Sequence, residues 1–177
     1  MKLEESLSRL VAWDRRGKYV YLKRDLAKVL EETGNTLNQT IKRLAAKGVL
    51  ERGAQGVYVF AHSSRIGATT LEDVALALRR GEYVFESLES ALSQWGAISQ
   101  IPVDRLTLMT TGAKGTFVTP YGVIEFTHTS APAAEIRAST LERPDHPIPI
   151  ATNDYATKNM RRAHRNLDLV HEGGTHA

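Results

Sequence analysis

The sequence predicts an α+β chain: an N-terminal winged helix-turn-helix, then a small α+β domain with an antiparallel sheet. Three observations carry this. Helical and strand-like apolar spacings alternate along much of the 177 residues. The order helix, glycine turn, helix, hairpin occurs within residues 1–62. Charge divides at the same place: residues 1–62 hold 12 Lys/Arg against 7 Asp/Glu, a net +5, whereas residues 63–177 hold 11 against 13, a net −2. A cationic module joined to a mildly acidic one is the organisation this implies: 1–62, a linker over 63–69, and a second domain over 70–177.

Leu3, Leu7, Leu10 and Val11 recur at helical spacing and give a first helix one apolar face, ended by Arg15-Arg16-Gly17. Tyr19-Val20-Tyr21-Leu22 is short and aromatic-rich, a small strand. A second helix buries Leu26, Val29 and Leu30 and stops near Thr33-Gly34, where glycine supplies the turn conformation. Asn35 or Thr36 caps a third helix, with Gln39 at capping-box distance from Thr36. Leu37, Ile41 and Leu44 form its buried stripe, and Gly48 closes it. Val49-Leu50-Glu51-Arg52 and Val57-Tyr58-Val59-Phe60 then read as two strands around a Gly53-Ala54-Gln55-Gly56 loop, a hairpin where a wing follows a helix-turn-helix.

Subtraction of that stripe leaves Thr36, Asn38, Gln39, Thr40, Lys42 and Arg43 facing outward. Carboxamides bond adenine in bidentate fashion, arginine bonds guanine, and threonine meets a methyl group or a phosphate. Lys42, Lys47 and Arg52 suit phosphates, and Gln55 lies in the wing loop. These residues form the candidate interface for duplex DNA. An aromatic sheet face for stacking single-stranded bases is missing from the segment. A polar helix face also suits a winged helix that docks on protein, so a protein-interaction module, or a regulator with no further role, stays open at this point.

Ala61 to Thr69 is small and polar, a connection. Thr70 and Asp73 mark the start of a helix carrying Leu71, Val74, Ala75 and Leu78. It ends at Arg79-Arg80-Gly81, where the arginines complement the helix dipole. Ser87 to Trp95 is a further helix, with Leu88, Ala91, Leu92 and Trp95 as its apolar stripe and Gly96 after it. Arg105 to Thr111 alternates like a strand, Gly112 to Gly115 is a turn, and Phe117-Val118-Thr119 and Val123 to Thr127 flank the tight turn chemistry of Pro120-Tyr121-Gly122. Two helices followed by a small antiparallel meander is the expectation. Prolines at 132, 144, 147 and 149 limit regular helix to Ala133–Thr140. Asn153 to Val170 is a last helix, with Tyr155, Met160, Ala163 and Leu167 inward and a solvated basic face of Arg161, Arg162, His164 and Arg165. His171 to Ala177 frays.

The chain has no cysteine, which excludes disulfides, thiolate zinc sites and a thiol nucleophile. No phosphate loop, nucleophile elbow or His-Glu-x-x-His is present. Glu142, Asp145 and His146, with His164, His171 and His176 downstream, lack ligand spacing, and His128 reads as a cross-strand partner. No catalytic site, metal or cofactor is expected. With no long apolar run and an acidic N-terminus, the expected place is the cytoplasm, off the membrane.

Two stretches resemble a known family: Ser87-Leu88-Glu89-Ser90-Ala91-Leu92-Ser93-Gln94-Trp95-Gly96-Ala97-Ile98-Ser99-Gln100-Ile101-Pro102, and Thr119-Pro120-Tyr121-Gly122 with Glu125-Phe126 behind it. Both are similar to the AbiEi family of type IV antitoxins of abortive-infection systems, encoded beside a nucleotidyltransferase-like toxin. The resemblance covers roughly residues 15–130. It implies a winged helix that binds repeats in its own promoter as an autorepressor, and a C-terminal domain that neutralises the toxin without a stable complex. Cooperative or dimeric binding on DNA is compatible with it. Glu89, Ser93, Gln94, Ser99 and Gln100, which packing of the stripe does not require, are then the candidate antitoxin surface. The stretch around Pro132-Ala133-Ala134-Glu135-Ile136 departs from the family's continuation.

Overall fold

The helical spacing that begins at Leu3 is realised as α1 (Leu3–Arg15), followed by β1 (Val20–Leu22), α2 (Lys23–Leu30), α3 (Gly34–Ala46), β2 (Leu50–Ala54), β3 (Val57–Phe60) and α4 (Thr70–Leu78). These elements make up the first of two units, Met1–Leu78; the second is Arg79–Ala177. The computed structural model describes residues 1–98 and 104–165. The expected α+β class is observed.

In the first unit β3 lies between β1 and β2 in an antiparallel sheet of order β1-β3-β2. Leu10, Tyr21, Leu26, Leu30, Leu44, Val57 and Phe60 are buried in this unit. The Leu22 amide donates to the Asp25 carboxylate at 2.8 Å, tying off the start of α2 where an orphan N–H would otherwise remain. α2 ends earlier than expected, at Leu30, with Glu31 in the left-handed region (φ 54°). Gly34 also adopts that region (φ 56°), but as the first residue of α3, so Thr33 is the N-cap and neither Asn35 nor Thr36 caps the helix. The hairpin turn is tighter than expected: Gly53 belongs to β2, and a side chain there would press within 3.2 Å of Val59 and 3.4 Å of Val74.

That contact with Val74 reflects a second difference. α4 belongs to the first unit. Its Val74 and Ala75 are buried, and the Tyr19 hydroxyl hydrogen-bonds Thr70 (3.2 Å) and donates to Asp73. Residues 63–69 are therefore not a free linker. Ser63 is buried and donates to Asp14, and Arg65 Nε donates to the Asp14 carbonyl at 3.1 Å. An amphipathic helix must cover its apolar face, and the nearest sheet in sequence does so. The Thr70 hydroxyl accepts from the Gly67 amide (2.9 Å), so it braces the loop that enters α4.

The second unit contains β4 (Val84–Glu86), α5 (Leu88–Gln94), β5 (Arg105–Thr110), β6 (Gly115–Thr119), β7 (Gly122–His128), α6 (Ala133–Ala138), β8 (Thr140–Leu141), β9 (Ile150–Ala151) and α7 (Asn153–Arg162). The sheet is mixed, in order β6-β7-β5-β4-β9-β8, and this corrects the antiparallel meander. β6 and β7 do form a hairpin, closed by the Thr119 hydroxyl donating to the Gly122 carbonyl at 2.7 Å. β7 then pairs with β5 in parallel, Leu108 opposite Phe126. β4, β8 and β9 went unforeseen, because three or two residues are too short to show a periodicity.

Phe85, Leu88, Leu92, Ile136, Tyr155 and Met160 pack into one core, with Phe85 stacked on Tyr155 at 5.8 Å. Trp95 is outside this stripe. It is 44% exposed, and its indole N–H donates to the Ala151 carbonyl at 2.8 Å. α7 stops at Arg162, and His164 takes φ 53°. Leu167 and Val170 lie outside the described residues.

Candidate functional site

Along α3, Thr36, Asn38, Gln39, Lys42 and Arg43 are exposed, as are Asn35 before them and Lys47 at the C-cap. No acidic side chain interrupts this face. Arg52 on β2 and Gln55 in the hairpin turn are exposed too. The turn itself needs Gly56, whose φ of 74° a side chain would strain.

Thr40 does not belong to this face. It is 3% exposed and shares the buried side of α3 with Leu37, Ile41 and Leu44. Position 40 lies three residues beyond Leu37, and that spacing turns inward on a helix. Its hydroxyl acts on Glu32 in the turn between α2 and α3. Burial would raise the Glu32 carboxyl, but the Thr40 hydroxyl, the Met1 ammonium at 3.2 Å and Arg43 together hold it below the usual range. Arg43 is exposed, yet one guanidinium nitrogen already donates to the Met1 carbonyl. The expected interface thus reduces to a hydroxyl-and-amide half, Thr36, Asn38 and Gln39, and a basic half, Lys42, Arg43, Lys47 and Arg52.

The candidate antitoxin surface fares differently. Gln94 is exposed and Ser93 half-buried. Ser99 and Gln100 lie outside the described residues. Glu89 is not an open side chain. Arg165 grips it through Nε (2.7 Å) and Nη2 (2.9 Å), and the same guanidinium donates to Glu125, which Arg105 also holds at 2.7 Å. Arg165 was expected on a solvated face; a fork with two carboxylates inside reach explains its place. Arg161, Arg162 and His164 are exposed as expected.

Ser87 and Ser90 stand at the start of the helix expected from Ser87 to Trp95. The structure buries both at the elbow from β4 to α5, where Leu88 adopts φ 57° with its side chain inside the core. Thr107 braces that strained step: its hydroxyl donates to the Ser87 carbonyl (2.7 Å) and accepts from the Ser90 amide (3.0 Å), and its own amide donates to the Ser90 hydroxyl (2.8 Å). Asn159 completes the cluster, donating to the Ser87 hydroxyl at 2.9 Å. Much of the motif from Ser87 onward is therefore explained by packing. Among the described residues no group of three or more His, Asp or Glu side chains could hold a metal ion, and no helix is long and apolar enough to cross a membrane.

Known proteins add a fold likeness. No family model matches the chain, and no curated protein matches it. Among solved structures it is similar to the crystal structure of the RV2827C protein from Mycobacterium tuberculosis, with a TM-score of 0.62 and 19% identity. The match covers 93% of this chain and 64% of that one, so this chain spans less than two thirds of its relative's length. At that identity the likeness concerns the α+β fold alone.

Proposed function

We propose that the first unit is a winged helix that binds duplex DNA, with α3 in the major groove and the β2–β3 hairpin as the wing, and that the chain represses its own promoter. The observation that carries this is the outward face of α3: amides and hydroxyls at Asn35, Thr36, Asn38 and Gln39, cations at Lys42, Arg43 and Lys47, and no carboxylate between them. Base edges ask for the first set and phosphates for the second. The order helix, strand, helix, helix, hairpin supports the same reading. So does the excess of cations over residues 1–62. A mobility shift on the DNA upstream of the gene tests it. Lys42→Glu/Arg43→Glu should abolish a shift that the unaltered chain gives, while circular dichroism stays unchanged. Equal binding by both proteins removes α3 from the groove.

The antitoxin role extends this proposal on the strength of the Ser87–Pro102 resemblance, with a nucleotidyltransferase-like toxin as functional partner. Because Glu89 is held by Arg165, the surface left for that role among the described residues is Ser93 and Gln94. Cells expressing the adjacent toxin gene should grow when the full chain is supplied, while toxin and chain fail to co-purify. Absence of rescue leaves a transcriptional regulator alone.

A further inference from the structure

β5 and β7 run parallel, and their carboxyl ends meet a cavity of about 380 Å³ walled by the loop after β7, by α6 and by α7. Ligand crevices form at the carboxyl ends of parallel strands, and sites for small molecules begin at about 300 Å³. Two opposite charges line this one. Glu135 of α6 and Arg162 of α7 approach no closer than 3.3 Å, with side chains 32% and 52% exposed. The pair is open to solvent, so it holds little free energy and can be replaced by a ligand carrying both charges, with Lys158 Nζ 3.7 Å from the same Glu135 oxygen.

The remaining polar groups are set more firmly. Asn159, 1% exposed, lines the cavity with its amide oriented by the bond to Ser87. His128 Nδ1 lies 2.8 Å from the Gly112 carbonyl. A carbonyl only accepts, so Nδ1 carries a proton towards it and the ring is held in place. Met109, Ala131 and Ala163 supply the apolar part of the wall.

We infer that this cavity binds a small zwitterion of the α-amino-acid class with an apolar side chain. Its carboxylate meets the Arg162 guanidinium, its ammonium meets Glu135, and its side chain lies against Met109, Ala131 and Ala163. One carbon separates the two charges of an α-amino acid, which suits two protein charges near enough to touch each other. A planar guanidinium takes a carboxylate through two parallel bonds. This binding is independent of whether the first unit reads DNA.

Isothermal titration of the full chain tests the inference with L-leucine and L-methionine as ligands, and N-acetyl-L-leucine and L-leucine amide as analogues lacking one charge each. At least one amino acid should bind saturably, and each blocked analogue roughly tenfold more weakly or worse. Glu135→Gln should erase the difference between L-leucine and N-acetyl-L-leucine. Arg162→Gln should erase the difference between L-leucine and its amide. Both positions are partly exposed, and unchanged thermal unfolding of the variants confirms that the cavity is intact. Three results would overturn the inference: no saturable binding of either amino acid at about 10 mM, analogues that bind as well as the amino acids, or variants that weaken every probe alike.

Discussion

In the first unit Lys42 and Lys47 stand clear of the fold, whereas in the second unit several charges are folded into pairs. Lys42 and Lys47 reach solvent from a helix whose other face is in the core. In the second unit Arg165 closes on Glu89 and Glu125, and Arg143 meets Glu86 at 2.8 Å with both side chains largely buried. A charge left outward keeps its hydration and can be given to a partner; a charge drawn inward has lost its hydration and must be paired. The sheets differ in the same direction. The first joins β2 to β3 through a two-residue turn, and the second sets Glu86 beside Ile150. Lys42 and Lys47 of the first unit thus keep their hydration, while these charges of the second hold distant segments together.

The largest effect that sharpens this contrast is expected from Phe85→Ala. Phe85 is fully buried on Tyr155, and its loss should cost about 3–5 kcal/mol in the second unit alone. Hydrogen exchange resolved by residue should show protection falling over Arg79–Arg165 and unchanged over Met1–Leu78. A shared loss would mean that the two units unfold together.

Thr107→Val comes next. It removes the hydroxyl that serves the Ser87 carbonyl and the Ser90 amide beside a left-handed Leu88. About 2–3 kcal/mol should be lost, as expected for buried polar groups left without partners. Urea unfolding measures it, and a loss near zero would mean that packing alone holds the elbow.

Arg165→Ala probes the paired charges through pH. Burial would raise the Glu125 carboxyl, but Arg165 and Arg105 outweigh it and hold the group below its ordinary range. A folded value lower than the unfolded one gives stability that is complete above the unfolded value and lost as pH falls through the folded one. At about pH 7 the substitution should cost about 1–3 kcal/mol. The acid sensitivity contributed by Glu125 should shrink with it. Denaturant titrations across the acid range check both; an unaltered acid profile would assign the network no role.

The smallest effect separates recognition from folding within one helix. Thr40→Ala should lower stability by about 1 kcal/mol and leave base preference alone. Asn38→Ala should do the reverse, costing about 1–3 kcal/mol at one base position with thermal unfolding unchanged. Binding to a randomised duplex pool distinguishes them. If Thr40→Ala changes base preference with stability intact, its burial is not what governs its role.

Helix positions were legible because the signal is local. Leu37, Ile41 and Leu44 announce the buried side of α3 from thirteen consecutive residues, and most of the exposed face follows by subtraction. Thr40 escaped because its hydroxyl disguises a position that helix geometry, three residues after Leu37 and four before Leu44, already turns inward. Glu89 escaped for a different reason: its partner is 76 residues away.

Chain order and apolar spacing therefore determined the class, the helices of the first unit and the hairpins, since a helical turn or a tight turn is decided by neighbours within four residues. Tertiary structure decided the rest. It placed α4 on the first sheet, set β7 parallel to β5, brought β9 beside β4, and turned a nominally basic face at Arg165 into an ion-pair clamp. Strand partners and buried charges depend on which surfaces are left to cover after the helices form. That depends on the whole folded unit, not on the residues adjacent in sequence.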